Sequence, residues 1–386
     1  MTDIIHAIDI SAPTISDEPR RITQVRPWLG EAEIDAVIDV MRDGWITEGR
    51  HAQAFCEKLN GLIGSTHGVL APNGTLALAL GLMALGIGPG DEVLVPDTTF
   101  IGSATAVLMV GAAPVFVDVE DQTFQIDMGR AGQHLSPRTR AIMPVHLFGT
   151  ACDMTAVLEF ARRHKLAVIE DAAQGIGVTF GNHHVGSLGD VGCFSFFADK
   201  TITTGEGGYV ACRDPAVHER LRLLRNQGRL QRGSFIHEAV GYNFRMTDLQ
   251  CAIGLAQLAR LDMVISRKAR LWRRYRDHLA GVPQVRVLGA APHAGHVPFR
   301  CVLMAQNVRA LMAHLEAAGV ETRSFFYPMH RQPGLAAHAG APPADDAAFP
   351  NATYGWDHGV CLPIHPTLSI AEVDVICAAI ADFYGA

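Results

Sequence analysis

The chain has 386 residues, 48% hydrophobic and 18% charged, with a formal net charge of −7. That length exceeds one ordinary core and predicts two domains, since domains run to roughly 100–200 residues. The acidic balance and the absence of a lysine-rich run argue against a nucleic-acid surface, which carries basic patches. Eight cysteines, at 56, 152, 193, 212, 251, 301, 361 and 377, form neither a CxxC pair nor a zinc-ligand cadence. They read as reduced thiols packed as small hydrophobes. The start, Met1-Thr2-Asp3-Ile4-Ile5-His6, has no basic segment ahead of an apolar one. Apolar stretches such as 76–88 are shorter than the roughly 20 residues a membrane span needs. The expectation is a soluble, cytoplasmic protein without metal, membrane or nucleic-acid partners.

Along the chain, apolar runs alternate with helical patterns, the sign of a βαβ sheet. An N-terminal extension covers 1–25, and helices are predicted over 31–42 and 52–59. Asn73-Gly74-Thr75 then caps an apolar helix over 76–85; free amides at a helix start bind phosphate, although such caps also open ordinary helices. Gly86-Ile87-Gly88-Pro89-Gly90 looks like a dinucleotide loop but follows a helix, where that motif requires a strand. Strands over 92–95, 114–117 and 141–145 alternate with helices over 101–110 and 154–164.

The strand over 167–169 ends in Glu170-Asp171, as expected of a buried parallel strand delivering groups to the carboxyl edge of a sheet, where ligands bind. Neighbouring strand positions face opposite ways, so one acid reaches the site. Asp171 is favoured, and Glu170 is expected in an ion pair. A carboxylate carried there needs a cation or several hydrogen bonds. The protonated ring nitrogen of pyridoxal phosphate is such a cation, and Gln174 could bond the ring hydroxyl. His183-His184 reads as a pair of exposed turn histidines. Strands follow over 191–196 and 208–212, and between them Lys200 lies between the aromatic run Phe194-Ser195-Phe196-Phe197 and a Gly-rich turn. Apolar neighbours disfavour an ammonium, so a free amine is available to attack a carbonyl, as in a Schiff-base lysine. Ser195 can add a hydroxyl to the phosphate site, and at least two of the nearby Phe side chains are expected in the core.

Helices are predicted over 215–224, 247–259 and 261–279, the last leading into a smaller domain. That domain has a strand over 297–304, a helix over 307–318 and the aromatic segment Arg323-Ser324-Phe325-Phe326-Tyr327-Pro328-Met329-His330. An Ala/Pro-rich surface connection covers 340–350.

From about Arg26 to its end the chain resembles the DegT/DnrJ/EryC1/StrS sugar aminotransferases. The likeness rests on Asp43-Gly44-Trp45-Ile46-Thr47-Glu48-Gly49, Asn73-Gly74-Thr75, Pro144-Val145-His146-Leu147-Phe148-Gly149, Ile169-Glu170-Asp171-Ala172-Ala173-Gln174, the Lys200 segment and Gly241-Tyr242-Asn243-Phe244-Arg245. The resemblance implies a fold-type I α/β enzyme. Its large domain (26–265) would hold a mostly parallel seven-stranded sheet flanked by helices, and a smaller α+β domain (266–386) would follow. It implies pyridoxal phosphate as cofactor and nucleotide-linked keto-sugar and amino-acid substrates, with glutamate as donor. It also implies a homodimer with shared sites.

By position, Lys200 would hold the cofactor covalently and move the proton, Asp171 would hold the ring nitrogen and Gln174 the ring oxygen. Phe100 would stack on the ring, and Gly74, Thr75 and Ser195 would bind the phosphate, with Asn243 reaching it from a neighbouring subunit. Thr47, Tyr327 and His330 are candidate substrate contacts. The Lys200 segment with Phe325-Phe326-Tyr327-Pro328 looks most like the perosamine synthase branch, which aminates C4 of a GDP-linked 4-keto-6-deoxy sugar. Gln227 stands where histidine is frequent, and Arg50 where proline is frequent. The alternatives are a dehydratase of the same fold, whose members carry histidine in place of the lysine retained here, and a nucleotide-binding or regulatory protein without turnover.

Overall fold

The computed structural model describes residues 21–229, 233, 235–290, 294–338 and 345–386. Most of the extension over 1–25 and the start of the 340–350 connection lie outside the described residues. The strands are β1 (His67–Ala71), β2 (Glu92–Pro96), β3 (Ala113–Val117), β4 (Thr139–Ile142), β5 (Ala167–Asp171), β6 (Thr179–Phe180), β7 (His183–His184), β8 (Val191–Ser195) and β9 (Gly208–Cys212). Seven of them form one sheet in the order β1-β9-β8-β5-β4-β2-β3. Only β9 runs against the rest, pairing antiparallel with β8 and β1. Strand β1 is the member that the sequence pattern did not reveal, because its five residues, a short turn after the preceding helix, present no alternation.

The helices are α1 (Glu31–Asp43), α2 (Arg50–Ile63), α3 (Gly74–Ala84), α4 (Gly102–Met109), α5 (Met128–Ala131), α6 (Met154–His164), α7 (Pro215–Arg225), α8 (Asp248–Ala259), α9 (Leu261–Leu279), α10 (Val308–Ala317), α11 (Pro350–His358) and α12 (Ile370–Tyr384). Helix α3 has apolar residues around almost its whole circumference, and Ala77 to Leu82 are all buried. It packs under the sheet against β8, β9, α4 and α7, which fixes its N-terminus at the sheet's edge. Caps set other starts: Asp153 accepts from Thr155 and Ala156 at 3.0 and 3.1 Å, and Thr247 forms a reciprocal box with Gln250.

A second, antiparallel sheet has the order β10-β11-β13-β12, from β10 (Val285–Val287), β11 (Cys301–Ala305), β12 (Arg323–Ser324) and β13 (Gly359–Leu362). Its core joins Leu303, Leu311, Val320, Val360 and Ile376 with Leu271, Tyr275 and Leu279 of α9. Ile22 also enters this core, bridged to Val320, so a segment preceding α1 packs with the second sheet's core rather than with the large sheet. The predicted strand over 297–304 begins only at Cys301, because the preceding backbone turns to meet Gly149. At Gly149 (φ +82°) any Cβ would fall 1.8 Å from the Val297 carbonyl oxygen.

His184 departs from the expected exposed turn. It is 8% exposed in β7, its Nε2 accepts from the Gly177 amide at 2.8 Å, and only His183 is exposed. All eight cysteines are free; seven are buried, and burial pushes the half-buried Cys56 thiol up to about 11. Among the described residues no single helix is long and apolar enough to cross a membrane.

Candidate active site

Three segments meet at the carboxyl edge of the large sheet. At the start of α3, the Asn73 side chain accepts from the Leu76 amide at 2.9 Å, while the Gly74 and Thr75 amides have no intrahelical acceptor. A Cβ at Gly74 would lie 2.8 Å from Cβ and 3.2 Å from Oγ of Ser195. Glycine therefore lets the Ser195 hydroxyl stand beside the open helix end, and the two form an anion cradle.

At the end of β5, Asp171 is 5% exposed; it accepts from Ser103 Oγ at 2.7 Å and from the Ala173 amide at 3.0 Å. Ser103 is itself 2.9 Å from Thr99 Oγ1. Glu170 points the other way and is fully buried. It binds His146 at 2.9 Å and accepts from the amides of Gly186, Leu188 and Gly189 at 2.6–2.7 Å. Burial pushes the Glu170 carboxyl up, but His146 and the amides outweigh it and hold the group below the usual carboxylate range. Gln174 Oε1 accepts from the Phe148 amide at 2.6 Å. Phe148 holds a left-handed backbone (φ 58°) that aims this N–H. The bond settles the orientation of the Gln174 amide and leaves its NH₂ as the donor for the cavity.

In the turn after β8, the Lys200 amide bonds to the Phe197 carbonyl at 3.0 Å, and Nζ lies 4.5 Å from the Phe299 ring centre. Burial lowers the pKa of this amine below the ordinary lysine value, against the opposing pull of Asp199 and Asp171. Gly74, Thr75, Phe100, Asp171, Gln174, Ser195 and Lys200 line a single cavity of about 840 Å³. Phe100 is 59% exposed beside it, and Phe197 also lines it, while Phe194 and Phe196 are core residues.

Four sequence candidates lie elsewhere. The His330 side chain is fully buried, bonded to Asp97 at 2.6 Å and to Asp346 at 3.1 Å, so it clasps two segments rather than contacting substrate. Tyr327 packs edge-on against Trp356, and its neighbour Phe326 lines the cavity instead. Thr47 and Asn243 are exposed on this chain, outside the cavity. Cavity residues that sequence reasoning missed include Ser103, Arg300, Arg323 and Phe326. Ser103 follows Thr99 by four positions at a helix start, a usable signal; Arg300 pairs with Asp199 from 101 positions away and gives none.

The donors match a pyridine ring that carries an aldehyde and a phosphate. Open amides and a hydroxyl suit the phosphate, a carboxylate the ring nitrogen, an NH₂ the ring oxygen and a buried amine the aldehyde. The doubly flanked sheet with this edge cavity is that of a fold-type I pyridoxal phosphate enzyme. Residues 27–381 match the DegT/DnrJ/EryC1/StrS aminotransferase family, and the chain belongs to it. It is an aminotransferase, and pyridoxal phosphate is its cofactor.

The chain is 42% identical to a GDP-perosamine synthase of Caulobacter vibrioides over 95% of this chain and 99% of that one. It is 37% identical to a GDP-perosamine synthase of Escherichia coli O157:H7 over 93% and 97% of the two chains. The solved structure of DesV from S. venezuelae, in complex with a ketimine intermediate, superposes with a TM-score of 0.87 at 34% identity, covering 92% of this chain and 94% of that one.

Proposed function

We propose that this protein moves an amino group from L-glutamate to C4 of a GDP-linked 4-keto-6-deoxy sugar. The reading is carried by the convergence of Lys200, Asp171 and Gln174 beside the open start of α3, in a chain 42% identical to a GDP-perosamine synthase. Lys200 would hold the cofactor and, as a free amine, would take and return the proton at the reacting carbon. Asp171, kept in place by Ser103 and the Ala173 amide, holds the ring nitrogen protonated. Gln174 donates to the ring oxygen, Phe100 covers the ring, and Gly74, Thr75 and Ser195 take the phosphate. Bound pyridoxal phosphate supplies an electron sink and carries the amino group between the two half-reactions.

The division into a cofactor-binding domain over 26–265 and a smaller one over 266–386 belongs to the same proposal, as does a cytoplasmic homodimer. Supporting the dimer, Thr47 and Asn243 sit on one connected surface: Glu48 pairs with Arg225 at 2.9 Å, and Arg225 donates to the Phe244 carbonyl at 3.2 Å. The same segments expose Trp45, Ile46, Val240 and Tyr242, side chains of the kind that a subunit contact buries. Asn243 and Thr47 then complete the partner's site.

The test offers loaded protein and glutamate a set of UDP-, GDP- and dTDP-linked 3-keto and 4-keto sugars, with the amino-sugar product read by mass. The GDP-linked 4-keto-6-deoxy sugar is expected to turn over fastest. Preference for another nucleotide or for a 3-keto sugar overturns the assignment.

A further inference from the structure

Behind Lys200, away from the main cavity, lies a second space of about 20 Å³ lined by Lys200, Asp199, Lys268, Gln24, His365 and Phe299 among others. It is large enough for an ordered water, which needs about 10–15 Å³ and two or more polar partners. The partners are there. Asp199 Oδ1, Gln24 Oε1 and His365 Nε2 are buried without a hydrogen bond among the described residues. Lys268, from the middle of α9, is 2% exposed, and its side chain makes no hydrogen bond or ion pair among the described residues.

One carboxylate serves an excess of cations here. Asp199 Oδ2 already binds Arg300 and lies 3.7 Å from Arg323, so only Oδ1 remains. Around the Phe299 ring stand Lys200 Nζ at 4.5 Å, Arg300 Cζ at 4.6 Å and Lys268 Nζ at 5.7 Å from its centre. Two ammonium groups sharing one half-used carboxylate in a desolvated place repel, and their protonation is coupled. The other titratable groups around Lys268 are Arg26 and His365 across the small cavity, and His296, which Lys268 itself influences. Burial, then Arg300, lowers Lys268 to about 7, so it changes charge in the ordinary working range.

We propose that Lys268 is a positioning residue for Lys200: joined to Asp199 Oδ1 through water in this cavity, its ammonium competes for the shared carboxylate and keeps the Lys200 amine free of its proton. This rests on the assignment of Lys200 as the cofactor-bearing lysine. A neutral side chain at 268 leaves Asp199 Oδ1 without a competing ammonium and makes Lys200 more basic. A permanent cation there makes Lys200 less basic.

The measurement is the pH dependence of trace acetylation of Lys200 in the full-length protein freed of cofactor, quantified on the Lys200 peptide by mass spectrometry. Lys268→Met is expected to raise the midpoint by about one pH unit and Lys268→Arg to lower it. Midpoints that stay at the wild-type value, or that move in the same direction in both variants, overturn the proposal. If Lys268→Met lacks the wild-type thermal transition, Lys268→Arg decides alone: a lowered midpoint supports the proposal and an unmoved one overturns it. Separately, borohydride reduction of the loaded wild-type protein reports which lysine carries the cofactor. A different lysine there sinks the Lys200 assignment, whereas the acetylation midpoints still report on the coupling between the two amines.

Discussion

Glu170 and Asp171 are consecutive acids on one strand, and their surroundings separate a structural charge from a reactive one. Glu170 spends its oxygens on His146 and three backbone amides, whereas Asp171 keeps one face of its carboxylate on the cavity. Replacing Asp171 with Asn should therefore leave the fold and cofactor loading intact but lower kcat by about 10²–10³, the usual cost of losing a preorganised charge. Stopped-flow half-reactions with glutamate measure this, and near wild-type turnover would remove Asp171 from its role. Strand alternation made this division legible in the sequence. The Ser103 hydroxyl on Asp171 was not legible, since 68 positions separate the two and only the packing of α4 against the sheet joins them. His330 misled for the reverse reason: a histidine beside aromatics suits a pocket wall and a buried clasp equally, and only the fold supplies Asp97.

That clasp joins the turn after β2 to the segment after β12. Asp97 is fully buried; it accepts from the His330 amide at 2.8 Å as well as from the ring, and its carbonyl accepts from the Met329 amide at 2.8 Å. The turn it anchors runs on to Phe100, so the clasp supports the aromatic wall of the cavity. Burial alone would lower the His330 pKa, but Asp97 and Asp346 more than offset this and raise it. A raised histidine pKa means stability that is complete below the unfolded value of 6.5 and is lost as pH climbs through the folded value. His330→Ala strands Asp97 and should cost about 3–5 kcal/mol. In urea titrations the deficit should be larger at about pH 6 than at about pH 9. A deficit independent of pH would mean that the clasp carries no ionic component. Local patterning found six of the seven strands of the large sheet, because apolar runs bounded by turns or helices mark buried strands, but it gave no strand order. It missed β10, β12 and β13, whose short, mixed sequences become strands only by pairing with β11.

For the assembled enzyme, the shared-site proposal makes a complementation experiment decisive. Lys200→Ala subunits mixed with Asn243→Ala subunits should regain part of the activity that neither has alone, since a hybrid pairs one intact Lys200 with the intact Asn243 of its neighbour. Confirmed subunit exchange without any regain would place Asn243 outside the partner's site.

The segment before α1 carries a consequence for how the chain is made. Ile22 pairs with Val320, and the Gln24 amide bonds to Glu321, 297 positions away. At a synthesis rate of about 5–20 residues per second, these partners emerge roughly 15–60 s after the segment itself. The large sheet, complete once Cys212 has left the ribosome, can form in that interval, while Ile22 waits with nothing to cover it. A chain halted before α10 would thus carry a finished cofactor sheet and an Ile22 segment whose partners, Val320 and Glu321, have not yet been made.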